Sequence, residues 1–517
     1  MGRTHHLDRR LFERVATSRL RGVEAALPRL SRAADQGRLW LGTAAALSAV
    51  GGPTARRAAR RGLGALAVAS LTTNTIMKYA TRRKRPLLDI VPAVRQLTRQ
   101  PATSSFPSGH AASAAAFATG VALESTRYGA LVIPVAAAVA ASRVYVGVHY
   151  PGDVLAGCAL GITAAVLTCR WWPPRPERDL SVHHRAAAPA LPEGAGLVVV
   201  INSGSGSGTT AQLLTAGERL RMLLPSAEIM ECGPGEDLAA TLDRAALRAA
   251  AAGGALGICG GDGSVNAAAQ RAAAHGLALA VFPCGTLNHF ALDLGVQSFE
   301  DATRAVTAGE AIASDLARAR PAGGASGETV HFVNTFSIGL YPELVRMREA
   351  LEGRLGKWPS AAVSLARLLS TARPVELEIN GRPHRLWLLF AGNGLYSPEG
   401  FAPAHRTHLD DGLLDIRTID GDKPLARTRV VLSALTGTLG RSRVYTATRL
   451  PRLRLSGLRG IRTLAYDGES APVPDSLVLD KRQGVLAVYR PVRAEDEVLQ
   501  RARAVAAVTS SYPQRPA

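Results

Sequence analysis

"SRVYVGVHYPGDVLAG", residues 142–157, lies in one of the most apolar regions of the chain, yet it carries Arg143, His149 and Asp153. Either these polar side chains are incidental residues at a helix end, or the apolar region exists to hold them. Working outward, stretches free of Asp, Glu, Lys and Arg run 39–55, 62–77, 100–123, 128–142 and 154–169. Most are shorter than the ~20 apolar residues a membrane crossing requires. Flanking residues that snorkel or face a polar cavity extend them. Five in succession predict an all-α membrane helix bundle, with a soluble Ala-rich bundle as the bland alternative. The next segment, "RWWPPRPERDLSVHHRAAAPALPEGAG" (170–196), places two tryptophans where an interfacial belt would lie, then reads as a Pro- and Ala-rich linker.

At 517 residues the chain exceeds one ordinary core, so two or three domains are expected. The net charge of +20 comes from dispersed basic residues with only 5% aromatics. That pattern fits an anionic membrane surface or phosphorylated substrates, not nucleic acid. The five cysteines (Cys158, Cys169, Cys232, Cys259, Cys284) lack CxxC spacing. They argue against zinc and against a disulfide framework, and fit a reducing compartment for the second half. The Arg-rich N-terminus lacks a signal-peptide cleavage pattern. From Leu197, apolar runs such as "LVVVIN" and "ALGICGGDG" alternate with helix-like runs, the signature of a parallel α/β sheet. After about residue 312 strand-like runs dominate and predict an antiparallel lobe. The expected divisions are a basic helical segment (1–38), a membrane-embedded domain (39–172), a linker (173–195), an α/β nucleotide lobe (196–311), a β-rich lobe (312–495) and a partly disordered tail (496–517).

Three clusters in the membrane half share one chemistry. "KYATRRKRP" carries Lys78 and Arg85; "FPSGH" carries Ser108, Gly109 and His110; the opening stretch adds Arg143, His149 and Asp153. Lysine and arginine supply fixed positive charge, and arginine forks onto two phosphate oxygens. Ser108 and the Gly109 amide add donors at a helix start, which favours an anion. Two histidines suit attack and leaving-group protonation, and a carboxylate four residues from His149 shares its face if that turn is helical. The order Lys–six residues–Arg-Pro, Pro-Ser-Gly-His, Ser-Arg–five residues–His–three residues–Asp resembles the type 2 phosphatidic acid phosphatase (lipid phosphate phosphatase) superfamily over roughly 70–160. The resemblance implies His149 as nucleophile forming a phosphohistidine, Asp153 as its orienting partner and His110 as leaving-group acid. Lys78, Arg85, Ser108, Gly109 and Arg143 would bind the phosphate, and no metal would be needed.

In the second half, "NSGSGSG", "CGGDGSVNAAAQ" (259–270) and "FPCGTLNHFALDLG" (282–295) each follow a strand with a Gly-rich turn. Glycines let backbone approach phosphate, Asp262 can reach Mg²⁺ or its waters, and three such turns at one sheet edge converge on one crevice. None ends in the GK[ST] of a P-loop. With "NTFSIGLYPELV", "GNGLYSPEGF", "LDDGLLDI" and "YDGE", they resemble the diacylglycerol kinase / sphingosine kinase catalytic family over roughly 196–490. That implies ATP bound by Asn202, Gly204, Gly260, Asp262, Gly263, Asn266 and Thr286. It further implies Asp467 as base, Glu469 beside Asp262 for Mg²⁺, and Asp410 and Asp411 on a structural metal. "NS" replaces the usual "NP" entering the first loop, and "GTLNH" places His289 where an acid is usual.

The expected protein is a multipass membrane enzyme acting on membrane lipids and lipid phosphates, with ATP and Mg²⁺ serving the kinase half alone. The rival class is a membrane-tethered lipid sensor or scaffold with one active half. Because a kinase needs cytosolic ATP, the phosphatase clusters are expected on the extracytoplasmic side and "ARRAARRG" (55–62) in an inside loop. Stretch 39–55 fits poorly as a span. The lipid tails and the oligomeric state stay open.

Overall fold

A computed structural model describes residues 2–18, 24, 26–77, 81, 83–87, 89–97, 103–174, 184–203, 210–285, 288–323, 327–340, 373–399, 405–406 and 408–491. It also describes positions 347, 351, 363–364 and 367–368. The chain divides into two compact units, Met1–Arg178 and Asp179–Ala517.

The first unit is helical: α1 (Gly2–Thr17), α2 (Ala26–Ala33), α3 (Arg38–Val50), α4 (Gly52–Thr72), α5 (Gly109–Glu124), α6 (Thr126–Tyr145) and α7 (Pro151–Thr168). Large apolar side chains point outward from α6 (Leu131, Ile133, Val135) and α7 (Leu155, Ile162, Val166), while alanines such as Ala111, Ala112, Ala116 and Ala165 fill the interior. Small residues inside and large ones outside is the packing helices adopt in lipid, where close backbone approach replaces hydrophobic drive. On α7, a Cβ on Gly157 would stand 2.4 Å from the Ser108 carbonyl, and one on Gly161 would stand 2.2 Å from that of Ala112. Only glycine lets α7 lie this close to the start of α5.

Helices α6 and α7 are long and apolar enough to cross a membrane. Stretch 39–55 is not one span: α3 has 13 residues, about 20 Å at 1.5 Å per residue, and α4 begins at Gly52. Residues 55–62 are not a loop but the first half of α4. There Arg61 (2.7 Å) and Arg57 (3.0 Å) pair with buried Glu124 at the end of α5. Two arginines sharing one carboxylate explain why so basic a helix can pack inside.

The second unit opens with four parallel strands, β1 (Leu197–Asn202), β2 (Glu228–Cys232), β3 (Ala255–Gly260) and β4 (Ala278–Pro283), in the order β4-β3-β1-β2. The intervening helices are α8 (Thr210–Leu223), α9 (Leu238–Ala251) and α10 (Asp262–His275). Strands β1 and β3 are buried at every position, as helices on both faces require. Short α11 (His289–Asp293) and α12 (Phe299–Ala308) follow. Then come β5 (Ala311–Pro321), β6 (Val330–Phe332), β7 (Thr335–Gly339), β8 (Val375–Ile379), β9 (Arg382–Asn393) and β10 (Leu414–Asp420), with β11 (Tyr445–Leu450), β12 (Arg452–Ser456), β13 (Thr463–Tyr466), β14 (Glu469–Pro472) and β15 (Leu477–Tyr489), besides the two-residue strands Arg185–Ala186, Tyr396–Ser397 and His405–Arg406. These later strands pair antiparallel, and β15 joins the two regions by a parallel contact, Val488 with Leu279.

Cys259 at the end of β3 and Cys284 just beyond β4 form a disulfide with Cα atoms 5.6 Å apart. This corrects the expectation of no disulfide framework for this pair. The partners lie 25 residues apart in sequence, and only the side-by-side pairing of β3 with β4 (Gly260 opposite Pro283) makes them neighbours. The 496–517 tail lies outside the described residues.

Candidate active sites

In the helical unit, the start of α5, the end of α6 and the start of α7 bring the motif residues to one end. His149 is not helical: Tyr150 caps α7 and Pro151 occupies its first turn. The i,i+4 face expected for His149 and Asp153 therefore gives way to a fold-back. Asp153 accepts from the Tyr150 amide at 3.0 Å, from Arg83 Nη1 at 2.6 Å and from the Ser105 hydroxyl.

The buried His149 ring has its Nδ1 2.7 Å from the Ser105 carbonyl and 3.8 Å from Asp153 Oδ2. A carbonyl only accepts, so Nδ1 carries the proton and Nε2 keeps its lone pair. Burial, then the Arg85 and Arg143 charges, hold the imidazole below its ordinary pKa. It is therefore neutral at pH 7, the form a nucleophile needs. Arg85 Nη1 stands 3.4 Å from Nε2 and is itself fixed by the Val148 carbonyl at 2.8 Å. Ser108 caps α5, its hydroxyl accepting from Ala111 N, and its amide donates to the Asp153 carbonyl at 2.9 Å. Gly109 and His110 follow in the first turn of α5. Arg143 is buried, donates to Ser31 Oγ and leaves its Nε unpartnered, a buried donor that an anion could satisfy. His110 Nε2 lies 2.7 Å from Asp35 Oδ1. Lys78 lies outside the described residues. Sequence reasoning missed Ser105, Arg83, Asp8 and Asp35. Ser105 stood one residue before the quoted "FPSGH", and Arg83 inside the quoted "KYATRRKRP".

In the second unit, Asn202 at the end of β1 donates to Ser264 Oγ at 2.9 Å, tying the first turn to α10. Gly285 could not carry a Cβ, which would stand 2.7 Å from Gly261 Cα. The second and third glycine turns thus touch backbone to backbone, with the Asn288 side chain closing the third by bonds to Gly285 N (2.8 Å) and O (2.7 Å). Asp262 opens α10 and accepts from the amides of His289 and Phe290, each at 3.2 Å. Asn266 donates to the His331 carbonyl at 2.8 Å and leaves its buried Oδ1 unpartnered. Gly260 ends β3, while Gly204 and Thr286 lie outside the described residues.

Asp467 is buried and accepts from three backbone amides, Val333 (2.7 Å), Asn334 (2.9 Å) and Thr335 (2.8 Å). Burial outweighs those donors and, with the Asp262 charge, raises its pKa to about 7. Asn334 links the two carboxylates: its amide serves Asp467 and its side chain reaches Asp262 Oδ1 at 3.2 Å. Arg406 fixes Asn334 Oδ1 at 2.8 Å while pairing with buried Asp293 at 2.8 Å. Asn334 was visible in "NTFSIGLYPELV" without a role, and Arg406 and Asp293 carried no signal.

The two implied metals fare differently. A Cβ on Gly263 would stand 2.8 Å from Glu469 Oε1. Asp262 and Glu469 therefore flank one glycine, a carboxylate pair that suits Mg²⁺. Asp410 and Asp411 do not fit a metal. Lys481 Nζ already contacts Asp411 (2.8 Å), buried Asp315 (2.7 Å) and the Leu413 carbonyl (2.9 Å), which uses its three protons. Asp410 faces away, bonded to His184 Nδ1 at 2.5 Å and to its amide at 3.1 Å. Among the described residues no group of three or more metal-ligating side chains forms.

Comparison with known proteins finds two family domains in the chain. The PAP2 superfamily model matches residues 60–177 and the diacylglycerol kinase catalytic domain model matches 196–319. The chain is 38% identical over 106 residues to the "Decaprenylphosphoryl-5-phosphoribose phosphatase" of Mycobacterium tuberculosis, covering 20% of this chain and 56% of that protein. It is 45% identical over 67 residues to the "Lipid A 1-phosphatase" of Rhizobium johnstonii, covering 13% and 28%. The "Probable lipid kinase YegS" of Escherichia coli is 29% identical over 191 residues, covering 35% and 58%. The chain thus spans between 28% and 58% of the length of these relatives.

Proposed function

We propose, for a chain that carries a PAP2 superfamily domain (60–177) followed by a diacylglycerol kinase catalytic domain (196–319), that it is a bifunctional membrane lipid enzyme. One site removes phosphate from a lipid phosphate without metal, and the other transfers phosphate from ATP to a lipid hydroxyl such as that of diacylglycerol.

The phosphatase reading is carried by His149, whose Nδ1 is held at 2.7 Å by a carbonyl, so that its Nε2 lone pair faces Arg85 Nη1 at 3.4 Å. Nε2 attacks phosphorus as the bond to the lipid oxygen breaks, and His110 gives that oxygen its proton. Water then attacks the phosphohistidine, returns a proton to His110, and releases phosphate with Nε2 restored. Arg85, Arg143 and the amides at the start of α5 balance the charge on the transferring group. Asp153 and Ser105 fix the ring. Lys78 keeps the role the motif implies.

In the kinase reading, Asp262 and Glu469 would hold Mg²⁺, which would supply charge neutralisation for the transferring phosphoryl group. The touching glycine turns admit the ATP phosphates, with Asn202, Gly204, Gly260, Gly263, Asn266 and Thr286 around the nucleotide. Asp467, with a pKa near working pH, takes the proton of the lipid hydroxyl. Lys481 supplies the positive charge that a structural cation would have given Asp411.

The two readings meet in topology. Helices α4 to α7 cross the bilayer, the kinase is cytosolic, and the His149 end is extracytoplasmic. Purified full-length protein, given labelled ATP and a lipid extract, tests the assignment: a phosphorylated lipid that fails to form, read by mass spectrometry, would remove the kinase half.

A further inference from the structure

Three residues reach the phosphatase cluster from the 37 residues before α3, a segment that precedes the PAP2-matched region at 60–177. Asp8 accepts from Arg83 at 2.6 Å and from the Gly152 amide at 2.7 Å. Ser31 accepts from Arg143 Nη1. Asp35, in a short turn just before α3, lies 2.7 Å from His110 Nε2. Each contacts a different part of the site: the arginine that holds Asp153, an arginine on the substrate phosphate, and the acid.

We propose that Asp35 is a positioning residue for His110, its carboxylate holding the imidazole by Nε2 so that Nδ1 delivers the proton to the departing lipid oxygen. This inference rests on the phosphatase reading above. With Nε2 taken by Asp35, Nδ1 is the ring nitrogen left for a reacting group. A carboxylate on one ring nitrogen stabilises the imidazolium and fixes which nitrogen acts, the arrangement by which an acid orients a histidine in hydrolytic triads. The need is local. Arg143 from the end of α6 and His149 from the turn before α7 both face His110 with positive or potentially positive charge. Asp35 is the acid facing it among the described residues. Without it, no carboxylate among the described residues holds the ring by Nε2.

The leaving group separates this role from a merely structural one. A lipid alkoxide is a poor leaving group and needs a proton, whereas p-nitrophenolate leaves unaided. Asp35→Asn in the detergent-solubilised full chain should cost about 10- to 100-fold in kcat on phosphatidic acid. On p-nitrophenyl phosphate the same substitution should change kcat by less than about 3-fold. The alkaline limb of the phosphatidic acid pH profile should move to lower pH, since loss of the carboxylate disfavours the proton. Asp35→Glu should restore most activity. His110→Ala, measured on the same two substrates, separates the two levels. If His110→Ala spares phosphatidic acid turnover, the assignment of His110 itself fails. If His110→Ala shows the leaving-group split but Asp35→Asn gives equal losses on both substrates, no loss, or a gain, then Asp35 does not position the acid. A gain would identify it instead as a carboxylate that blocks the site.

Discussion

Replacing Asp467 by Asn tests its proposed role as the kinase base. Asparagine keeps the size and tolerates the backbone, which sits at a φ of 44° that Asn and Asp adopt more readily than other side chains. Its single oxygen can still accept from the Asn334 and Thr335 amides. Its NH₂ then faces the Val333 amide, now 2.7 Å from a donor instead of a carboxylate oxygen. An orphaned buried amide costs about 1–3 kcal/mol of stability, which a urea titration would read. The chemical loss is separate and larger. A positioned base contributes roughly 10²–10⁴ in rate, or about 3–5 kcal/mol of barrier at 1.36 kcal/mol per tenfold. The loss should appear in kcat, with ATP affinity by calorimetry changed by less than about 3-fold, because a base acts in the transition state. The pH profile supplies the sign. Asp467 must be ionised to act, and burial raises its pKa to about 7. Kinase kcat should therefore rise with pH through about 7 and level off above. Wild-type turnover by Asp467→Asn, or a profile already flat from pH 5 upward, would refute this reasoning.

Other outcomes follow from the same geometry. His149→Ala should abolish lipid phosphate hydrolysis, whereas Asp153→Asn should leave a small residue of activity, since Ser105 still holds the ring through its carbonyl; phosphate-release assays decide, and complete inhibition by EDTA would sink the metal-free reading. Gly157→Ala should destabilise the helical unit by about 1–3 kcal/mol, because its Cβ would stand 2.4 Å from the Ser108 carbonyl; an unchanged melting temperature in detergent would contradict that packing. An impermeant thiol reagent added to intact cells should label a cysteine placed at exposed Leu87 (Leu87→Cys) and should not label one placed at exposed Ala190 (Ala190→Cys). The reverse pattern would leave the kinase without ATP.

What could be read from sequence was local. Pro-Ser-Gly-His and His–three residues–Asp are contiguous, and their spacing carried His110, His149 and Asp153 to one end of the bundle. "GGDG" and "YDGE" likewise announced Asp262 and Asp467. What stayed hidden was long-range. Asp35 reaches His110 across 75 residues, and Asn334 gains its place only because Asp467 meets its amide and Asp262 its side chain. Lys481 is one of many basic residues in the sequence, and nothing nearby marks it as the cation between Asp315 and Asp411. Helix limits failed where charge misled. Four arginines in 55–62 read as a loop, but Glu124, more than sixty residues on, neutralises Arg57 and Arg61 inside α4. The cysteine pair was silent for the same reason, since strand pairing alone joins it.

The central claim is that one chain houses two independent chemistries. Its most direct measurement assays wild type, His149→Ala and Asp467→Asn in parallel, for phosphate release from phosphatidic acid and for transfer of labelled phosphate from ATP to diacylglycerol. The account predicts both activities in wild type, loss of hydrolysis alone in His149→Ala, and loss of transfer alone in Asp467→Asn. A wild-type protein lacking either activity, or a single substitution that abolishes both while the chain stays folded, would contradict it.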